Sequence, residues 1–363
     1  MRVLTVNAGS SSLKLRLLGG DDSLEASADV PLSRGEIDAS ALTEALAGMP
    51  PPDAVGHRIV HGGERFREPT RIDAEVHEAL QQLTDLAPLH QPKSLAALDA
   101  VSRAIPAAPA VACFDTAFHA TIPPAARTYA MPEEWRVRYG LRRYGFHGLS
   151  HAYAARRAAE MLGRSELKLV SCHLGAGASL TAVEDGESVD TTMGFTPLEG
   201  LVMATRSGSV DPGMLLWLLE RRSLTEAEMA EALEHDSGLL GLAGSADMRD
   251  VLRRAQGGDE SAQLARDVYL RSLCAGIAAM AAAGGGLDAL AFTGGVGENS
   301  PEVRAAAVER LAWLGLALDA ERNTSVAPDA NVAAAESVAG VLVIAAREDL
   351  EIARQVRNLL SAA

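Results

Sequence analysis

Large aromatic side chains are scarce in this chain, at 4% of 363 residues. Alanine fills much of the apolar share instead, which favours helices packed closely through small side chains. Lysine occurs only at positions 14, 93 and 168, so arginine carries nearly all of the positive charge. Acidic residues outnumber basic ones, 48 to 33, and the formal net charge is −15. A chain of that sign repels nucleic acid and anionic membrane surfaces as a whole, so neither is an expected partner. An anionic small molecule is not excluded, because a local arginine cluster reverses the field inside a cleft. The three cysteines, Cys113, Cys172 and Cys274, are far apart and form no C-x-x-C pair, which reads as reduced thiols in a cytoplasmic protein. No basic segment followed by an apolar stretch opens the chain, so a secretion signal is not expected. The most apolar window, 273–292, is broken by Gly284, Gly285, Gly286 and Asp288. It reads as helix, turn and strand rather than a membrane span.

At this length the chain exceeds one ordinary core, and two domains are expected. Strand-like and helical stretches alternate throughout, which places the fold in the α/β class. Residues 2–6 and 13–18 alternate as strands around the turn N-A-G-S-S-S. Residues 168–182 echo them: apolar strand, small-residue loop, Ser-Leu, second strand. A repeat half a chain apart points to a duplicated domain. Residues 19–52 read as polar, then helical, then proline-rich, and "GGVGEN" at 294–299 reads as a glycine loop.

Three such small-residue loops, 7–12, 174–179 and 293–299, follow apolar strands. Small residues let backbone N–H groups approach an anion. Turns need glycine in any case, but three loops in one chain lean toward phosphates. There is no G-x-x-x-x-G-K-[ST], and "GGVG" lacks the third glycine of a dinucleotide fingerprint. Arg58 lies in "GHRIVHGG" and Arg206 in "MATRSGSVDPG". An arginine buried beside glycine turns is costly unless it meets an anion. An internal ion pair explains either arginine alone equally well; the two together, beside these loops, tip toward clamping an anion. Of nine histidines none sits in H-E-x-x-H, which argues against zinc. His147, between glycines in "RRYGFHGLSH", is the best functional candidate, and His173 at the second loop is next. Asp115 ends a strand and Glu348 follows another, as magnesium carboxylates do. Asp115 also reads as a turn or helix-cap aspartate, and Glu348 as a first-turn acid favoured by the helix dipole. The sum describes phosphoryl transfer, which needs cations on the transferred oxygens and control of geometry.

Taken together, the motifs resemble the acetate kinases. The segments are "VNAGSSSLK", "GHRIVHGGERF", "LAPLHQP", "CFDTAFHATIP", "RRYGFHGLSHAY", "HLGAGAS", "DTTMGFTPLEGLVMATRSGSVDPG", "FTGGVGENSPEVR" and "EDLEIAR". They span nearly the whole chain in the family's order. The resemblance implies two duplicated ribonuclease H-like (actin-like ATPase) domains flanking a catalytic cleft. One would comprise 1–118 with the C-terminal helix 350–363, and the other, 119–349, would bind nucleotide and form a homodimer. It implies reversible, Mg2+-dependent transfer of the ATP γ-phosphoryl group to acetate or another short-chain carboxylate, with Mn2+ as an alternative ion. By motif, Arg58, Asp115, His147 and Arg206 take the catalytic positions. Asn7, Ser10, Ser12, Lys14, His173, Gly175 and Gly177 fall at the phosphates. Val60, Leu89, Phe146 and Pro197, with Arg58, fall at the substrate pocket. Asp247, Met248, Arg249, Gly295, Val296, Gly297 and Asn299, with Lys14, fall at the nucleotide, and Asn7 and Glu348 at the metal. Ala176 stands where many members carry Asn, and Met248 where many carry Phe. A propionate or butyrate kinase on the same fold is the alternative, and a non-catalytic actin-like ATP-binding regulator a more distant one. The regulator would need the arginines or the histidine to be missing, and all are present.

Overall fold

The structure, a computed structural model, describes residues 1–9, 12–33, 36–87, 91–222 and 224–362. Its contacts divide the chain into two units. The first comprises 1–120, 146–153 and 347–363, and the second comprises 121–145 and 154–346.

The first unit is built on seven strands: β1 (Val3–Ala8), β2 (Ser12–Leu18), β3 (Leu24–Ser33), β4 (Glu36–Ile37), β5 (Ala54–Ile59), β6 (Thr70–Arg71) and β7 (Ala110–Phe114). Their order is β4-β3-β2-β1-β5-β7-β6. β1 runs antiparallel to β2 and parallel to β5, and β5 runs parallel to β7. Successive side chains on β1 point to opposite faces. Leu4 and Val6 pack with Ala97 and Val101 of the helix Gln91–Ala104. Val3 packs in a different cluster, with Ile352, Ala353 and Val356 of the C-terminal helix Glu348–Ser361.

One expectation needs correction here. The segment after β2 is not simply polar, because it forms the ten-residue strand β3. Ala26, Ala28, Val30 and Leu32 alternate onto the core, and small alanines give that period a weak hydrophobic signal. Residues 146–153 and 347–349 group with the first unit. Gly148 N donates to Asp115 O at 2.9 Å, and Leu149 is buried with Val111 and Cys113.

The second unit repeats the plan with β8 (Lys168–Leu174), β9 (Ala178–Glu184), β10 (Glu187–Thr191), β11 (Ala289–Thr293), β12 (Ala330–Asn331) and β13 (Gly340–Val343). Their order is β10-β9-β8-β11-β13-β12. β8 is antiparallel to β9 and parallel to β11, and β11 is parallel to β13. In each sheet three successive strands, β1–β3 and β8–β10, pair antiparallel and two parallel strands lie beside the first of them; β4 adds antiparallel to β3, and the short β6 and β12 close the far edges antiparallel. This is the duplicated ribonuclease H-like architecture that the resemblance implied, and the duplication is the one the repeat pointed to. "GGVGEN" is a helix, Gly294–Asn299, rather than a loop. Gly294, at φ 79°, turns the chain off β11 directly into it. Among the described residues no helix is long and apolar enough to cross a membrane.

His57 on β5 is 1% exposed, and among the described residues neither ring nitrogen has a hydrogen-bond partner. Burial lowers its pKa from 6.5 to about 3. Between those values the unfolded chain binds a proton that the folded chain refuses. Stability therefore falls as pH drops through that window, by up to about 1.4 kcal/mol per pH unit. In urea titrations at neutral pH and near pH 4.5, His57→Leu should lose less stability on acidification than the unsubstituted protein. Equal losses would remove His57 from the account of acid sensitivity.

Candidate functional site

Asn7, Arg58 and Asp115 stand at the carboxyl ends of the adjacent parallel strands β1, β5 and β7. Open α/β sheets receive ligands outside such ends. Arg58 donates from Nε to Asp115 Oδ1 at 3.0 Å and from Nη2 to Asp115 Oδ2 at 2.6 Å. Its Nη1 donates to Asn7 Oδ1 at 3.0 Å. Asn7 Nδ2 in turn donates to Glu348 Oε2 at 2.9 Å, and that oxygen lies 3.8 Å from Arg58 Nη1. Burial opposes the Arg58 charge, but the Asp115 and Glu348 carboxylates outweigh it and hold the guanidinium above its ordinary pKa. Burial likewise pushes the Asp115 carboxyl up, with Arg58 opposing and Glu348 adding to the rise. The fork-on-carboxylate geometry is that of a bidentate ion pair.

His147 has φ 57°, in the left-handed region. That conformation costs a non-glycine residue on the order of 1–3 kcal/mol and persists only where the surroundings impose it. The imposing contact is its neighbour's. A Cβ on Gly148 would lie 2.2 Å from Asp115 O, so only glycine lets the helix Gly148–Leu162 begin against that carbonyl. Val60 and Phe146 are buried, and the Phe146 ring meets His61 edge-on at 5.5 Å. Ser12 opens β2, its carbonyl accepting from Gly9 N at 2.9 Å. Lys14 is exposed on β2, opposite Asn7 in register. Ser10 and Leu89 lie outside the described residues.

The second unit carries a cavity of about 670 Å³, a size suited to a small-molecule ligand. Asp247, Met248, Arg249, Gly295, Val296 and Asn299 line it, with Gly175 and Ala176 from the turn after β8. Asp247 caps the helix Met248–Gln256 by accepting from Arg249 N at 2.9 Å, and it pairs with Arg249 Nη2 at 2.7 Å. Gly177 and Gly297 are not among the lining residues. Gly177 shapes the turn by accepting from Gly175 N at 2.9 Å, and Gly297 is buried against Phe292. His173 lies on β8, in register with Ser179 and Thr293.

Arg206 differs from Arg58 in its partners. Its Nη1 donates to Pro197 O at 3.0 Å and approaches Met203 Sδ at 3.6 Å. Burial pulls it below its ordinary pKa, with Glu234 opposing at longer range. Among the described residues no carboxylate forms an ion pair with it. This half-buried cation suits an incoming anion. As for a metal, Asn7 Oδ1 and the Glu348 carboxylate are hard oxygen donors of the class that suits Mg2+. One carboxylate leaves the other positions to water and phosphate oxygens. The donor set therefore fits that ion.

The sequence profile of the acetokinase family matches residues 51–354. An acetate kinase of Gloeobacter violaceus is 51% identical over 320 residues, which cover 87% of this chain and 79% of that one. The crystal structure of Porphyromonas gingivalis acetate kinase superposes with a TM-score of 0.90 at 34% identity, covering 99% of each chain. That of a propionate kinase from Francisella tularensis superposes with a TM-score of 0.89, also at 34% identity, covering 98% of each chain.

Sequence reasoning missed Tyr269, which lines the cavity from the helix Glu260–Ala283. Within "ARDVYLRSL" it reads as an ordinary core aromatic. Its hydroxyl is buried without a hydrogen-bond partner among the described residues, and burial pushes the phenol up. A buried unpaired hydroxyl costs about 1 kcal/mol or more. Tyr269→Phe should therefore raise the melting temperature of the ligand-free protein, by on the order of 1–2 °C. A lower melting temperature would show that the hydroxyl is satisfied in solution.

Proposed function

The chain belongs to the acetokinase family, and from that premise we propose that it transfers the ATP γ-phosphoryl group reversibly to acetate, giving acetyl phosphate and ADP. It is a phosphotransferase with a carboxyl group as acceptor. The observation that carries this reading is Arg58, fixed by Asp115 and Asn7 at the strand ends. An acetate oxygen attacks the γ-phosphorus, and the bond from that phosphorus to the ADP oxygen breaks. Acetate is already ionised at neutral pH, so the step needs no general base. Asp115 accordingly serves as the partner that orients Arg58, not as a proton acceptor.

Arg58 and Arg206 hold the acetate carboxylate and the transferring phosphoryl group, and His147 donates to phosphoryl oxygens. Together they offset the approach of one anion to another. Val60, Phe146 and Pro197 bound the methyl group, and the cavity beside Asp247 and Val296 takes the adenosine. Asn7 and Glu348 are the residues that would hold Mg2+, or Mn2+ in its place. That ion, when bound, neutralises charge on the phosphate oxygens. The propionate kinase of similar structure supports a second reading, in which the same chemistry serves a longer acid. The three free cysteines, Cys113 and Cys172 among them buried, support a cytoplasmic location.

A hydroxamate assay with Mg-ATP and acetate, propionate and butyrate tests the reaction. Acetate should give the highest kcat/KM, with each added methylene costing about 1–3 kcal/mol, or roughly 10–200-fold. Arg58→Ala and Arg206→Ala should each lose about 100-fold or more in kcat while keeping the far-ultraviolet circular dichroism of the fold. Turnover of a longer acid above acetate would select the second reading, and near-normal turnover in either variant would refute its assigned role.

A homodimer is part of the same proposal. The helix Pro212–Arg222 buries none of its residues, and Met214, Leu216 and Trp217 are 44%, 60% and 46% exposed. Apolar surface of that kind marks an association site, and a second copy of this chain is the occupant we assign. Sedimentation should give the mass of two chains, and Leu216→Glu with Trp217→Glu should give the mass of one. A single-chain mass for the unsubstituted protein, or an undisturbed dimer in the variant, would overturn the assignment.

A further inference from the structure

Three side chains with no role in the proposed chemistry converge on the loop that carries Pro197. Glu199 accepts from Arg143 Nη2 at Oε1, 2.8 Å, and from the Tyr129 hydroxyl at Oε2, 2.5 Å. The other two grip the loop backbone. Arg143 Nη1 donates to Thr192 O at 3.2 Å and Met193 O at 3.0 Å, and the Tyr129 oxygen accepts from Phe195 N at 2.9 Å. The Arg143 guanidinium also lies over the Tyr129 ring, 5.6 Å from its centroid. Burial, then the hydrogen bond and charge of Glu199, push the Tyr129 phenol up, so it stays a donor.

Gly194 records how closely this cluster is fitted. A Cβ there would lie 1.7 Å from Glu199 Oε2 and 2.1 Å from the Tyr129 oxygen. The glycine's own carbonyl accepts from Tyr144 N at 3.0 Å and Gly145 N at 3.2 Å. These are the residues immediately before Phe146 and His147 in the chain. Three residues beyond Gly194, Pro197 O receives Arg206 Nη1 at 3.0 Å. One carboxylate thus ties together the backbone groups that precede Pro197 and the acceptor that aims Arg206.

We propose that Glu199 is a positioning residue for this reaction. By bridging Arg143 and Tyr129 it fixes the 192–197 loop, and through that loop it sets the Pro197 wall of the acid pocket and the direction of Arg206. The proposal rests on the assignment of Pro197 to that pocket. A cluster that merely stabilised the fold would lower the melting temperature without touching selectivity. One that positions the wall changes which acid fits, because a displacement of about 1 Å at a reacting group costs up to about 100-fold.

The test compares Glu199→Ala, Glu199→Gln and Tyr129→Phe with the unsubstituted enzyme. The readouts are KM for acetate and for ATP, the propionate-to-acetate ratio of kcat/KM, and the melting temperature. Glu199→Ala and Tyr129→Phe should raise KM for acetate and shift the acid ratio, each by about ten-fold, with KM for ATP held within about two-fold. Glu199→Gln, which keeps the shape and an acceptor, should restore most of both relative to Glu199→Ala. Should Glu199→Ala fail to fold, Tyr129→Phe and Glu199→Gln decide. Lower melting temperatures with an unchanged acid ratio and acetate KM would overturn the proposal. If the unsubstituted enzyme prefers another acid, the reaction assigned above fails. The ratio between that acid and its next homologue then decides the role of Glu199.

Discussion

A guanidinium buried at the end of a parallel sheet must be answered by negative charge on the spot, and Arg58 is answered by Asp115. Removing either partner of a buried pair leaves an uncompensated charge, which costs about 3–5 kcal/mol. The pair therefore constrains what surrounds it. β5 and β7 must be neighbours for the fork to meet the carboxylate, and β1 must lie on the other side of β5 for Asn7 to reach Nη1. Asn7 is suited to its place because a carboxamide has two unlike ends. Its oxygen accepts from the cation of Arg58, while its nitrogen donates to the anion of Glu348. A carboxylate at position 7 would repel Glu348, and a hydroxyl could not span both.

The duplicated plan puts the same topological position to two different uses. In the first unit the strand ends carry charged and amide side chains. In the second, the chain leaves β8 and β11 through Gly175, Ala176, Gly295 and Val296, which line a cavity instead. Side chains with charge suit a carboxylate and a metal. Backbone with little side chain suits a bulky, partly apolar ligand that must come close. The two halves of the proposed chemistry thus follow from which residue types sit at equivalent strand ends.

Much of this was legible in the sequence, for identifiable reasons. The hairpins at residues 3–18 and 168–184 alternate strongly around small-residue turns, and both form as read. Arg58 beside glycine turns pointed to an anion or an internal acid, and the structure supplies the acid. Strand β3 was hidden because alanine marks its buried positions. The helix at "GGVGEN" was hidden because three glycines argue for a loop, whereas here a single positive φ at Gly294 starts the helix at once. Gly177, read at the phosphates, and Gly297, read at the nucleotide, do not line the cavity; one shapes a turn and the other is buried within its helix against Phe292. Tyr129, Arg143 and Glu199 gave no signal, because they lie up to 70 residues apart and only the fold brings them together. Gly194 was the one available clue, a glycine whose reason lies in side chains that no local pattern names.

The two arginines are in opposite electrostatic states before any ligand arrives, and that difference suits them to different parts of the proposed reaction. Arg58 is already matched by a carboxylate, so its orientation is fixed and little reorganisation is left to it. Arg206 is half-buried with a carbonyl and a thioether for partners, and burial pulls its pKa down. A neutral acceptor orients such a cation without satisfying it. Negative charge arriving near it is therefore favoured, and most strongly where charge spreads over the transferring oxygens. The acceptor that aims it belongs to Pro197, on the loop tied down by Glu199. An arginine held by a fixed neutral carbonyl keeps its direction and also its appetite for an anion, which a carboxylate partner would have removed.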